Sequence, residues 1–367
     1  MSRAVDYTGG LSRKALAQAL LLWPGLAAPE GPPAPPVTPG KTVGGQAVIE
    51  GVMMRGPGRW AVMVRKTDGS IEGSVKDHRA WTNRKPWKYP FARGLAVLVE
   101  SLVLGVKALS YSTEVTAGDQ MAAARGQDAP KADGDGRPDA KAIGPLAIFL
   151  SLALGLGMGL FLFVALPHVL SIWLGVLGGF DEMSLLFHLL DGLLKFAIFL
   201  AYVWGIGLIP DIARVYAYHG AEHQAIHVYE AGLPLSPAEA RAFPTWHPRC
   251  GTAFIFLVLS ASILFFAIAF PLLAPFGGLE RLPRALAGVG LKILFTPLLA
   301  AVAYEITRLA GRPESGRLWR ALVWPGLILQ RITTRRPDEA QLEVAFKSLE
   351  AVLPEKGQAL ESPCPSN

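Results

Sequence analysis

The chain has 367 residues, with 35 Lys and Arg against 29 Asp and Glu, 51% hydrophobic and only 17% charged residues. Soluble domains carry about a quarter charged residues, and here the deficit is concentrated between residues 143 and 310. That excludes a disordered chain, a coiled coil and an ordinary two-domain soluble enzyme, while Cys250 and Cys364, far apart, exclude a disulfide framework. The composition is that of a multi-pass membrane protein.

In chain order, Arg13 and Lys14 precede a short apolar run, 15–23, that Pro24 stops. A cleaved signal there would put the basic stretch 41–142 outside, so a short peripheral helix is expected, followed by a Pro-rich, semi-rigid linker to residue 42. Runs 43–54, 60–66 and 71–75 are β-rich. They are separated by Arg55-Gly56-Pro57-Gly58 and Thr67-Asp68-Gly69-Ser70, which are turn signals. A three-stranded antiparallel meander follows, too small to stand alone. Its expected partner is a helix over 90–114, where Leu95, Leu98, Val99, Leu102, Val106 and Leu109 repeat at helical spacing. Arg93, Glu100 and Lys107 argue against a full span, so this helix is expected at the membrane interface, completing a unit over 43–116. Residues 117–142 read as a flexible linker.

A helical span needs about 20 mostly apolar residues. Four stretches qualify: 143–177, with a break at Pro167-His168; 185–209, carrying Asp191 and Lys195; 252–273, without charge; and 285–309, with Lys292 and Glu305. Asp191 and Lys195, one helical turn apart, can pair, either as a functional intramembrane charge pair or as packing. Residues 318–332 and 339–353 read as two cytoplasmic helices within 311–354, and 355–367 as a disordered tail. The expected fold is therefore an α-helical membrane protein with about four transmembrane helices, a small amino-terminal β unit with its amphipathic helix, and carboxyl-terminal cytoplasmic helices. There are 19 Lys and Arg before the first span and 9 from Arg308 onward, which places both termini and the 210–251 loop in the cytoplasm.

That loop carries the chemistry, with four of the seven histidines between residues 219 and 247. On a helix, Glu222, Ile226, His219, Glu230, His223 and His227 share one arc about 140° wide. Two histidines at i and i+4 can hold one ion. His219 and His227, about 12 Å apart along the axis, cannot share one. The ion therefore takes His219 with His223, or His223 with His227, and its remaining ligands come from elsewhere. His247 and Cys250 are the best outside candidates, with Glu50 and His78 weaker ones. His219 to His223 also satisfy H-x-x-E-H, in which the Glu is a general base. His227 and Glu230 are supporting groups or alternative ligands, and Arg249 is an anion or substrate contact. His168 and His188 read as packing residues.

The stretch Gly45-Gln46-Ala47-Val48-Ile49-Glu50-Gly51-Val52-Met53-Met54-Arg55-Gly56-Pro57 resembles the opening signature of the YqhQ-like bacterial membrane proteins. Tyr218-His219-Gly220-Ala221-Glu222-His223 and Pro248-Arg249-Cys250-Gly251-Thr252 are similar to two further hallmarks. Pro325-Gly326-Leu327-Ile328-Leu329-Gln330, with Thr333-Thr334 and Pro337-Asp338-Glu339, resembles the carboxyl-terminal block. The family commonly has Lys where this chain has Gln224. The resemblance implies an integral membrane protein, called a predicted metal-dependent enzyme, in the bacterial cytoplasmic membrane.

The leading expectation is a membrane-embedded, metal-dependent hydrolase with a cytoplasm-facing site. His219 and His223, helped by His247 or Cys250, would hold a divalent ion, zinc first, and Glu222 would be the general base. The alternative is a non-catalytic scaffold or assembly factor in which four ligands close around a structural ion. A third reading, a transporter using Asp191, Lys195 and Glu305, lacks a visible internal repeat. The expected partners are the lipid bilayer, anionic headgroups, and a second copy or another membrane protein. Nucleic acid is not expected.

Overall fold

The computed structural model describes residues 43–83, 85–125, 145–180, 184–272, 281–310 and 316–354. The helix and linker expected over 1–42, the later part of the 117–142 linker and the tail 355–367 lie outside those residues.

The amino-terminal unit is a four-stranded antiparallel sheet in the order β1-β2-β3-β4, with β1 Gly44–Val48, β2 Gly51–Arg55, β3 Arg59–Arg65 and β4 Ile71–Asp77. The extra strand arises because the run expected as one strand folds back at Ile49-Glu50, pairing Val48 with Gly51. Glu50 takes φ 51, which a non-glycine residue adopts only when held. Its carboxylate is gripped by the Arg214 guanidinium through two hydrogen bonds and accepts a third from the Tyr218 hydroxyl. At Gly51 a Cβ would sit 2.2 Å from the Met63 carbonyl oxygen, so the strands meet this closely only at glycine.

Both faces of the sheet are covered, which explains why Val-Met-Met and Trp-Ala-Val-Met-Val read as continuous apolar runs rather than alternating ones. One face, with Trp60, Val62 and Val64, packs on Leu104 and Ala108 of α1, Ala92–Arg125. The expected sheet–helix pairing is therefore present, on a longer helix. Nine residues read as linker continue α1, rich in alanine, and the Asp119 carboxylate anchors them by accepting the Thr67 backbone N–H at 2.6 Å. The other face, with Val52, Met54 and Ala61, packs on α5, Pro210–Glu230, and on α10, Glu339–Val352. A capping box between Asp338 and Gln341 starts α10.

The remaining helices are mostly apolar. Pro145–Leu160 (α2) runs through a wide turn, Phe161–Ala165, into Leu166–Gly178 (α3). The helix passes through Pro167 without the expected break: the widened turn comes just before the ring, where a regular turn would clash. Next come α4, Leu185–Ile206, capped by Ser184, then α5, the short α6, Pro237–Ala240, α7, Gly251–Leu272, α8, Arg281–Ala310, and α9, Arg317–Thr333. Among the described residues, five helical stretches are long and apolar enough to cross a membrane: Ala92–Ala122, Ala153–Gly178, Leu185–Ile206, Gly251–Ala269 and Gly290–Ala310. The protein is a multi-pass helical membrane protein with a small amino-terminal sheet, and one more helix than expected has crossing length.

Within the bundle, Asp191 of α4 pairs with Lys195 and with Lys292 of α8, the latter at 3.2 Å, and His168 Nδ1 lies 3.8 Å away. Glu305 belongs elsewhere, paired with Arg93 at the start of α1. The helix α9, expected in the cytoplasm, lies against α7 so closely that a Cβ on Gly326 would sit 2.7 Å from the Ala253 Cα.

Candidate functional site

Helix α5 is where the sheet, the connection 231–250 and the end of α9 converge. Its start has Pro210 at the first turn, where a missing N–H costs nothing. Gly220 lets the 333–336 segment cross it, since a Cβ there would sit 2.1 Å from the Arg335 carbonyl oxygen. The connection then returns along α5, and the helix's polar side chains satisfy its carbonyls one after another. Gln224 donates to Phe243 O at 2.7 Å, His223 Nδ1 to Thr245 O at 2.6 Å and His227 Nε2 to Trp246 O at 3.0 Å. Gln330 of α9 clamps the His247 peptide, donating to its carbonyl at 2.9 Å and accepting its N–H at 2.7 Å.

Two clusters result. In the first, His219, His223 and Cys250 bring one nitrogen each and the thiol sulfur within 4.8 Å of one another. His219 Nδ1 donates to Thr333 O at 2.9 Å, while its Nε2 lies 3.2 Å from Cys250 Sγ. With both Nδ1–H groups committed to carbonyls, both Nε2 lone pairs are turned toward the Cys250 thiol, the arrangement seen where histidine ligates a metal. Cys250 sits just before α7, its sulfur accepting from Thr252 N at 3.4 Å. Burial alone would raise the thiol, but the His223 imidazole and the Thr252 contacts outweigh it and hold its pKa below the usual value. The donor set of two imidazoles and a thiol suits zinc.

Glu222 lies beside this triad, 4% exposed, under Gly45 of β1. Burial pushes its carboxyl up to about 8, against the opposing influence of His219. A Cβ on Gly45 would come within 3.0 Å of Glu222 Cγ, so only glycine lets the strand cover the carboxyl.

The second cluster is His227, Glu230 and His247. The Arg249 N–H donates to His247 Nδ1 at 3.2 Å, which leaves Nε2–H facing Glu230 Oε2 at 3.4 Å. Arg249 also ion-pairs with Glu230. A guanidinium already on the carboxylate and a proton already on Nε2 make this a hydrogen-bonded network, poorly suited to a second cation. Burial holds His223, His227 and His247 down at about 4, so all three rings are neutral. The rings of His219, His223, His247 and His227 follow one another at 4.4, 5.8 and 4.7 Å between centroids.

The expected site residues thus divide. His219, His223, Cys250 and Glu222 come together. His247 stands next to them but with His227 and Glu230, because α9 fixes its backbone. Arg249 is occupied by Glu230 rather than presented to a ligand. Glu50 and His78 are engaged elsewhere, Glu50 bound to Arg214 and His78 Nε2 to Glu100 at 2.5 Å. Asp191 and Lys195 do pair, inside the bundle. Sequence reasoning gave no role at the site to Gln330, Gly45, Thr245 and Thr333, three of which act through backbone atoms. Gln330, which ends the apolar run Leu327-Ile328-Leu329, was the one visible signal.

The chain is 29% identical over 313 residues, 84% of its own length and 92% of the relative's, to the uncharacterized protein YqhQ of Bacillus subtilis. No solved structure matches it. The family model described as protein of unknown function (DUF1385) matches residues 89–355, a stretch that holds both histidine clusters, and the chain belongs to that family.

Proposed function

We propose that the protein is a membrane-embedded, metal-dependent hydrolase of the bacterial cytoplasmic membrane, with its site on the cytoplasmic face. His219 Nε2, His223 Nε2 and Cys250 Sγ hold a divalent ion, zinc first. The observation that carries this reading is the hydrogen bonding of the two imidazoles, each with its Nδ1–H on a carbonyl and its Nε2 turned toward the thiol. Bound there, the ion supplies Lewis acidity and acidifies water. Glu222, buried beside the triad with its pKa raised to about 8, takes up and returns a proton at its carboxylate near neutral pH. The Gln330 clamp and the Thr245 and Thr333 carbonyls hold the rings in place, and β1 over Glu222 keeps bulk water off the carboxyl.

The cytoplasmic placement rests on the basic flanks and on four crossings. The sheet, α5 and α10 share one core, so an even number of helices crosses between the sheet and α5. Three candidates lie in that interval among the described residues, and we take α1 as the one that does not cross. Its middle carries the sheet, whose strand edges would be stranded in hydrocarbon.

Elemental analysis of purified protein tests the site. About one ion per chain is expected, lost in His219→Ala, His223→Ala and Cys250→Ser and retained in His247→Ala. With the ion retained in Glu222→Gln, a hydrolase screen of wild type against that variant tests the chemistry. A scaffold with a structural ion is the second reading, favoured by the joining of α5, α7 and α9 at one point. An ion that also needs Glu222, closing a four-ligand shell, would establish it.

A further inference from the structure

The loop 79–93 reads Arg-Ala-Trp-Thr-Asn-Arg-Lys-Pro-Trp-Lys-Tyr-Pro-Phe-Ala-Arg, with five basic residues and no acidic one. Among its described residues Arg79, Lys85, Lys88, Trp81, Trp87, Tyr89 and Phe91 are all exposed. The loop is nevertheless held in place. Buried Glu100 of α1 accepts from the Trp81 N–H at 3.2 Å and binds His78 and Arg55. At its other end the Phe91 N–H donates to Glu305 at 3.3 Å, with Phe91 at φ 65 and its ring outward. A strained backbone that holds an aromatic ring in water needs a reason.

The next residues extend the same surface. Leu95, Val99, Leu102, Val103, Val106 and Leu109 of α1 are exposed and fall within one arc about 120° wide, opposite the face that packs on the sheet. The stripe is about 21 Å long, short of the roughly 30 Å of a bilayer core. Beyond Leu109 the exposed face turns polar, with Ser110, Thr113 and Glu114.

We propose that α1 and the loop before it form a docking surface for anionic phospholipid, with α1 lying along the membrane. The stripe rests among acyl chains, Trp81, Trp87 and Tyr89 sit at headgroup depth, and Arg79, Lys85 and Lys88 take lipid phosphates. Three things select a lipid occupant over a second copy of the chain. The surface continues directly into the membrane bundle, through Arg93 on Glu305 and through Gly94, where a Cβ would sit 3.1 Å from the Ala301 Cα. The loop is all cationic, so two copies would repel. The aromatic residues flank the apolar stripe at one end, as interface anchors do. The proposal rests on the four-crossing reading but not on the metal.

The test uses full-length protein in two arms. Nitroxide labels at Leu95, Leu102, Val106 and Leu109, each as a single cysteine variant over Cys250→Ser/Cys364→Ser, report depth in bilayer nanodiscs. Equal, shallow depths are expected; a steady change of about 21 Å from first to last would mean that α1 crosses, overturning the four-crossing reading and the proposal together. Labels shielded from lipid, with the chain dimeric, would make a second copy the occupant and overturn the proposal alone. In the other arm, native mass spectrometry compares retention of phosphatidylglycerol with that of phosphatidylcholine. Wild type is expected to favour the anionic lipid, and Arg79→Gln/Lys85→Gln/Lys88→Gln to lose about a hundredfold of that preference, at about fivefold per cation. Equal retention of the two lipids by wild type would overturn the headgroup assignment and leave the crossing count intact.

Discussion

Each histidine cluster joins two side chains of α5 to one from the connection before α7, yet the two suit different tasks. In the first, carbonyls of Thr333 and Thr245 take the Nδ1 protons of His219 and His223, and the Nε2 lone pairs converge on a thiol. In the second, an N–H from Arg249 occupies His247 Nδ1, and its Nε2 proton faces a carboxylate that already has a guanidinium. Which backbone group meets which ring nitrogen decides whether a histidine is left as a donor or as a ligand. A cluster of imidazoles is therefore not a metal site until its hydrogen bonds have been assigned.

The largest effects should fall on opposite sides of that line. His219→Ala, His223→Ala or Cys250→Ser is expected to weaken zinc binding by well over the 10–100-fold that losing a ligand's hydrogen-bond partner typically costs. His227→Ala and His247→Ala should stay within about tenfold of wild type. Thermal unfolding with and without zinc gives a second readout. At about a hundred times the dissociation constant the ion adds about 2.7 kcal/mol, so the shift should persist in His247→Ala and vanish in His223→Ala. Equal losses in both clusters would break the comparison.

The Gln330 clamp comes next. The side chain is fully buried and satisfies both backbone groups of His247. In Gln330→Leu two buried polar groups lose their partner, at about 1–3 kcal/mol each. A loss of about 2–6 kcal/mol in unfolding free energy is expected. Zinc affinity should change less than in the His219→Ala and His223→Ala variants, because Gln330 holds the second cluster and reaches the first only through the shared loop.

How far the sequence reveals this division follows from where each constraint lies. Helical spacing alone brings His219, His223 and Glu222 onto one arc, because it needs no knowledge of other elements. The choice between His247 and Cys250 was not legible: both follow from one H-x-x-C spacing, and what separates them is a clamp supplied by α9, 83 residues away from His247. The fourth strand was hidden for a similar reason. Nothing near Ile49-Glu50 marks a hairpin, since the partner that holds Glu50 at positive φ is Arg214, 164 residues on. The long apolar helices were legible because 20 apolar residues carry their own signal, whereas the full length of α1 and the face it packs on the sheet depend on contacts that its own sequence does not carry.

Arg249 sharpens the contrast within the second cluster. It is paired with Glu230 and half-buried, and burial pushes its pKa below the usual arginine value. Breaking a fully buried pair costs about 3–5 kcal/mol; with the Arg249 side chain 26% exposed, solvent screening brings the expectation for Arg249→Met to about 1–2 kcal/mol. The double variant Arg249→Met/Glu230→Gln should recover part of that loss, since it leaves no unpaired charge. Recovery with zinc content unchanged would fix the pair as part of the network around His247. Loss of zinc in Arg249→Met would instead tie the second cluster to the first.

The smallest expected effect lies outside both clusters and tests whether the sheet's cover matters to the first. Asp338 starts α10 by accepting the Gln341 N–H at 2.7 Å, and Gln341 returns the bond to the Asp338 N–H at 3.0 Å. Removing such a cap costs about 1 kcal/mol, so Asp338→Ala should lower stability by that amount. The helix it starts buries Leu342, Phe346 and Leu349 against the sheet, whose other neighbour on that face is α5. Fraying its first turn loosens the layer that presses Gly45 onto Glu222 without touching either histidine cluster. Zinc content should therefore be unchanged, while amide exchange in β1 speeds up. Unchanged exchange at Gly45 would mean that α5 alone holds the strand over the carboxyl.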